Sequence, residues 1–168
     1  KNYIAEARFL RAMSYYSLLQ LYAKPYGDGN GSKPGVPLRL TPNTGPGDYA
    51  LARSTVAEVY TQILADLDFA ETNLPLTNGS AILNTTRAHR NTAIAFKTRV
   101  YLSMQKYADV ITQANKIVPA IAPFKAATGV AHELEADYTN LFKAPYTSAE
   151  SILLMPFASN EAPGTQNQ

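Results

Sequence analysis

The stretch AIAFKTRVYLSMQKYADVITQANKIVP, residues 93–119, decides the fold. Ala93, Phe96, Val100 and Met104 recur at three- and four-residue spacing, with Ile94 and Tyr101 beside them, and predict a helix over residues 90–104. A second face made of Tyr107, Val110, Ile111, Ala114, Ile117 and Val118 begins almost at once and predicts a helix over residues 106–118, bounded by Pro119. So short a link between two helices makes an antiparallel hairpin.

Outward towards the N-terminus, Thr55 and Glu58 stand at capping-box spacing in front of Val56, Val59, Tyr60, Ile63, Leu67, Ala70 and Leu74. This pattern predicts a helix over residues 55–73 that Pro75 stops. Residues 2–23 carry one apolar stripe through Ala5, Phe9, Ala12, Met13, Tyr16 and Leu19, and another through Leu10, Leu18 and Leu21. A helix apolar over so much of its circumference is expected to lie between neighbours. It starts without an N-cap signal, which suggests a segment of a longer chain.

Residues 24–53 form a Gly- and Pro-rich connection far longer than the usual link between helices. Within it Val36, Pro37, Leu38, Arg39 and Leu40 have extended character, and Pro34 and Pro42 confine them to an edge or free strand. Near the C-terminus, Tyr138, Leu141 and Phe142 predict one helical turn, residues 151–157 one short strand, and residues 164–168 a frayed tail. The residues alone therefore predict a mostly α fold: one helical domain over residues 1–168 with one hairpin resembling a tetratricopeptide repeat, a long irregular loop and one C-terminal strand.

Composition sets boundaries on function. The 168 residues are 46% hydrophobic, enough for one core. A net charge of +2 with scattered Lys and Arg lacks the basic stripe of a nucleic-acid binder. Cysteine is absent, which removes disulfides, thiolate catalysis and Cys-based zinc sites. No run approaches the roughly 18 apolar residues of a membrane span. Eleven Tyr and six Phe without Trp suit either helix packing or contact with sugar rings.

Four groups of residues, in order, resemble the SusD/RagB family of outer-membrane glycan-binding lipoproteins. The first is Ala5 to Ala12 (AEARFLRA) with Tyr15-Tyr16 and Leu21-Tyr22, followed by Gly35-Val36-Pro37-Leu38. The second is Arg53 to Tyr60 (RSTVAEVY) with Ile63 to Leu67 (ILADL). The third is Arg99 to Met104 (RVYLSM) with Tyr107 to Val110 (YADV), and the last is Glu150-Ser151-Ile152 after Tyr138 to Phe142. Members are several times longer, so the resemblance covers a central segment. It implies a tetratricopeptide-like scaffold, a surface position at the outer membrane of Bacteroidetes through a lipid anchor outside this segment, and partnership with a SusC-like TonB-dependent transporter that imports oligosaccharide. It also places most glycan contacts outside the residues present here. The alternative is a general tetratricopeptide scaffold for protein partners without a sugar ligand.

Within this segment Tyr26, Asn30 and Tyr49 are the candidate ligand-binding residues, since a tyrosine face stacks on a pyranose and an amide bonds its hydroxyls. The competing expectation is that the two tyrosines only pin the loop to the helices. Arg8 and Arg11, with Glu6 nearby, have the groups of an anion site, but the stronger expectation is ion pairing that ties the helix to an adjacent loop. His89 and His132 fall in different loops without metal-ligand spacing. Asp66 and Asp68 point to different helix faces, which rules them out as a glycosidase pair and favours Asp66 as an internal hydrogen-bond partner. No catalytic residue, metal or cofactor is expected, and the chain is not expected to be an enzyme.

Overall fold

A computed structural model describes residues 2–144 and 147–156. It contains five α-helices, α1 (Asn2–Tyr22), α2 (Val56–Asn73), α3 (Ala81–Thr86), α4 (Arg90–Ser103) and α5 (Tyr107–Ala114), and a 3-10 turn at Tyr138–Phe142. Helix α1 packs on α2, α2 on α4 and α4 on α5. The core lies where α1, α2 and α4 meet, around Phe9, Val59, Ile63, Leu67 and Val100. Phe96 stands edge-on to both Phe9 and Tyr16, at 6.0 and 5.2 Å between ring centroids, and so locks α4 against α1.

Each end of α2 is closed by identifiable groups. The Thr55 hydroxyl accepts from the Glu58 amide at 3.2 Å while the Glu58 carboxylate accepts from the Thr55 amide at 2.7 Å. The carbonyls of Lys33 and Gly31 accept from the amides of Val56 and Ala57, so the preceding loop satisfies two more first-turn donors. At the other end Pro75 ends α2, and its carbonyl accepts from the Arg90 amide at the start of α4.

Ion pairs then set the helices in register. The buried Asp66 carboxylate accepts from Arg11 Nε at 2.7 Å and Nη2 at 2.6 Å. Asp68 turns outward to meet Lys97 of α4, which also meets Glu71. Lys97 is buried; burial alone lowers its pKa, but its two carboxylate partners outweigh that and raise it. Glu6 takes Arg87 at 2.6 Å, and the Arg8 guanidinium lies 4.0 Å from the centroid of Phe69. The basic side chains of α1 thus bind it chiefly to helix α2 rather than to a loop.

Three expectations need correction. Residues 151–156 form no strand; the segment is a single chain crossing α3 and α4, held by the Leu154 amide to the Thr85 carbonyl at 2.8 Å, with no neighbouring strand to pair with among the described residues. Helix α5 ends at Ala114 instead of residue 118, because the amides of Lys116 and Ile117 turn back three residues to Gln113 and Ala114 in a tightening turn. The second stripe of α1 is open among the described residues, with Leu10, Leu18 and Leu21 exposed. Residues 36–40, expected to be extended, join no sheet among the described residues; the Arg39 amide and carbonyl both meet the Tyr15 hydroxyl, at 2.8 and 3.1 Å. Phe157 and the expected tail at residues 164–168 lie outside the described residues.

Val100 is completely buried, whereas Asp109 is exposed in the first turn of α5. Val100→Asp places an unpaired carboxylate in the core and is expected to destabilise by about 3–5 kcal/mol. Asp109→Ala loses only a favourable helix-end charge, below about 1 kcal/mol. Urea unfolding midpoints of the two variants measure the difference; equal midpoints would mean that the buried face of α4 is misassigned.

Candidate functional site

The loop between α1 and α2 is built around a tight turn. Residues 26–32 close on themselves through the Gly31 amide to the Tyr26 carbonyl at 2.8 Å. Gly31 has φ +76°, and a Cβ there would stand 2.8 Å from the Tyr26 ring and 2.9 Å from Ala57 Cβ. Only glycine fits the turn at that point. Arg53 holds the far end, donating through Nε to the Gly35 carbonyl at 2.5 Å and through Nη2 to the Tyr22 carbonyl at 2.9 Å.

The three candidate residues have separate fates. Tyr26 packs edge-on against Tyr60, 5.5 Å between centroids, so its partly buried ring is engaged by the scaffold. It borders a recess of about 150 Å³ with Gln20, Lys24, Tyr60 and Ser103, in which Gln20 Nε2 donates to the Tyr60 hydroxyl at 3.1 Å. Asn30 is exposed in the same turn, with φ +53°. Tyr49 lies in the distal part of the loop, and no hydrogen bond or ring contact joins it to Tyr26 or Asn30 among the described residues.

Tyr49 belongs instead to a cluster that the sequence reading overlooked. The Arg39 guanidinium lies 5.8 Å from the Tyr49 ring centroid, donates through Nη2 to the Tyr49 carbonyl at 2.6 Å, and donates through Nη1 to Asn43 Oδ1 at 2.7 Å. Arg39, Asn43 and Tyr49 together present a fixed aromatic ring beside a planar cation and an amide on an open surface. The available signal was an arginine alternating with Leu38 and Leu40 inside an extended segment, which puts its side chain opposite theirs.

Histidines separated by more than forty residues in sequence meet in space. His89 precedes the first turn of α4, and its ring stacks on that of His132, 5.3 Å between centroids and 19° between planes. The Thr92 hydroxyl accepts from the His89 amide at 3.2 Å, while the His89 ring itself caps nothing. Burial lowers the His89 pKa to about 4, with the neighbouring His132 adding to the effect. No group of three or more His, Asp or Glu side chains converges to metal-ligand geometry among the described residues.

A three-helix core carrying a loop stapled at both ends defines a scaffold of helical-hairpin type. Comparison with known proteins places it more closely. Residues 1–102 match the SusD-like family described as starch-binding and associating with the outer membrane. A SusD-like protein, P2, of Formosa agariphila is 30% identical over 145 residues, which are 86% of this chain and 25% of that protein. A solved SusD superfamily protein from Bacteroides fragilis superimposes with a TM-score of 0.79 at 34% identity, over 98% of this chain and 35% of its own. A solved laminarin-binding SusD-like protein does so at 0.69 and 26%, over 89% of this chain and 29% of its own. The chain belongs to the SusD-like family, and it spans about a quarter to a third of the length of these relatives. No helix among the described residues is long and apolar enough to cross a membrane.

The loop geometry separates two kinds of substitution. Gly31→Ala strains the turn against α2 and is expected to destabilise the whole chain by about 2 kcal/mol. Arg39→Ala removes only exposed bonds and is expected to cost less than about 1 kcal/mol while accelerating limited proteolysis within residues 40–52. Thermal unfolding and proteolytic mapping of both variants check this; an intact loop in the Arg39 variant contradicts the clamp.

Proposed function

We propose that this chain is the helical scaffold of a glycan-capturing protein that works at the outer membrane with a TonB-dependent transporter, binding oligosaccharide rather than transforming it. The observation that carries this reading is membership of a family described as starch-binding and associating with the outer membrane, together with its likeness to a laminarin-binding SusD-like structure. Anchoring through a lipid outside this segment belongs to the same proposal. So does the division of labour: residues 1–168 act as one helical unit of a longer protein, and most of the sugar contacts come from elsewhere in it.

The physical reason is that a shallow saccharide site needs several aromatic faces and hydrogen-bonding groups in register. Each partial set bears the full entropic cost of association. Within the loop, Tyr26 has spent much of its ring on Tyr60, Asn30 stands alone on its turn, and Tyr49 has Arg39 and Asn43 beside it. Tyr49 is thus the member of the three best placed to add a peripheral contact.

Calorimetric titration of the 168-residue chain and of the full-length protein with starch and laminarin oligosaccharides tests the proposal. Full-length protein is expected to bind at least one of them, and the segment at least about tenfold more weakly. Comparable affinities would move the site into residues 24–53, where Tyr49→Ala should then abolish binding and Tyr26→Ala reduce it. Absence of binding by the full-length protein to any glycan would favour a scaffold for protein partners.

A further inference from the structure

The His89–His132 stack sits at a junction that ordinary packing does not explain. Both residues are buried, and three of their four ring nitrogens, both of His89 and Nε2 of His132, have no hydrogen-bond partner. A core position normally excludes such orphaned groups. The one nitrogen that is engaged, His132 Nδ1, donates to the carbonyl of Ala149 at 3.1 Å. The proton of neutral His132 therefore sits on Nδ1, and Nε2 faces a site without a donor or acceptor.

The segment the stack touches is held lightly. Among the described residues, 147–154 hydrogen-bond to the rest of the chain through Ala149, which takes His132 Nδ1 and the Glu133 amide and gives its own amide to Glu135 Oε1, through Glu150, whose Oε2 accepts from the Glu135 amide, and through Leu154, bonded to Thr85. Its Ile152 and Leu153 form one wall of a groove of about 280 Å³ whose other walls include Phe9, Met13, Phe96 and Arg99. The backbone carbonyls of Ile152 and Asn84 lie towards the His89 ring without reaching hydrogen-bond geometry.

We propose that the His89–His132 stack is an acid-sensitive latch: while neutral it holds residues 147–154 across α3 and α4, and when protonated it releases them and opens the groove walled by Ile152 and Leu153. Protonation adds an N–H at His132 Nε2, which has no acceptor, and a charge to a buried ring pair. At His89 that charge also meets the positive end of α4. Among the described residues no carboxylate is placed to compensate. Glu133 is paired with Lys125, Glu135 and Glu150 accept from the backbone amides of Ala149 and Glu135, and Glu6 is taken by Arg87. Arg87 and Arg90, which flank His89 in sequence, are themselves cations.

The direction follows from linkage. Both histidines have their pKa lowered in the closed form, to about 4 for His89, so the released form binds protons first. The latch is fully closed above the ordinary histidine value of 6.5 and loosens as the pH falls from there towards 4. One such histidine changes the closed-to-open ratio by on the order of 30-fold between pH 7.5 and 5.

The chain has only two histidines, so their ring-proton NMR signals can be followed individually through a pH titration. Both are expected to titrate below 6.5; two ordinary midpoints would overturn the proposal whatever else is seen. Amide hydrogen exchange at Leu154, corrected for the intrinsic pH dependence, is expected to quicken at least tenfold between pH 7.5 and 5 while the amides of α2 and α4 keep their protection. Simultaneous loss in those helices would mean global unfolding and no latch. In His89→Phe with His132→Phe, Leu154 protection should no longer respond to pH over this range, and a retained response would reject the assignment. Should that double variant fail to fold, the wild-type titration and exchange data decide alone.

Discussion

A carboxylate with no exposed surface organises this molecule. Asp66 lies on the face of α2 that α1 covers, and burying a carboxylate there is costly unless donors reach its oxygens. Arg11 does so in fork geometry, which fixes position along the helix as well as angle. With Arg11 over Asp66, Arg8 falls on Phe69, Phe9 and Tyr16 straddle Phe96, and Glu6 reaches Arg87. A slip by one helical turn would break all of these together. Such a pair contributes more to choosing one register than to total stability, because desolvating both charges offsets much of their attraction.

The same device recurs between α2 and α4, where Lys97 is enclosed by Asp68 and Glu71 and Lys116 completes the network from beyond α5. Two polar clamps therefore flank an apolar centre, and they specify the order α1, α2, α4 better than interchangeable Leu, Ile and Val contacts could. The histidine stack behind α3 is the contrast. It is buried like Asp66 and Lys97 but lacks counter-charges, so neutrality takes the place of pairing.

Helices α1, α2, α4 and α5 were legible because each has an apolar face of at least four residues at helical spacing, and the α2 boundary was legible because Thr55 and Glu58 encode it chemically. Helix α3, six residues capped by Ser80, was too short for a period to show. The strand expected near residues 151–157 has the composition of one, but strand formation needs a partner edge, which is a property of the tertiary fold rather than of the segment. Tyr26 illustrates the limit for the site: its presence in the loop was readable, its engagement with Tyr60 was not, because that contact joins positions 34 residues apart. Arg39 was passed over for the same reason, since its meaning depends on Asn43 and Tyr49 folding back over it.

The loop between α1 and α2 returns to its starting point. The Gly35 amide meets the Ser54 carbonyl, the Ser54 amide meets the Val36 carbonyl, and Arg53 reaches back to the end of α1. Leu38 packs on the helical core and Arg39 bonds the Tyr15 hydroxyl of α1, so it is residues 41–52 that form an appendix whose length the helices do not feel. Doubling such a loop costs only about 0.6 kcal/mol in closure entropy. The scaffold and the appendix can therefore vary independently, so that one helical core can carry many different surfaces: a new sequence between residues 41 and 52 changes what the protein displays without renegotiating how it folds.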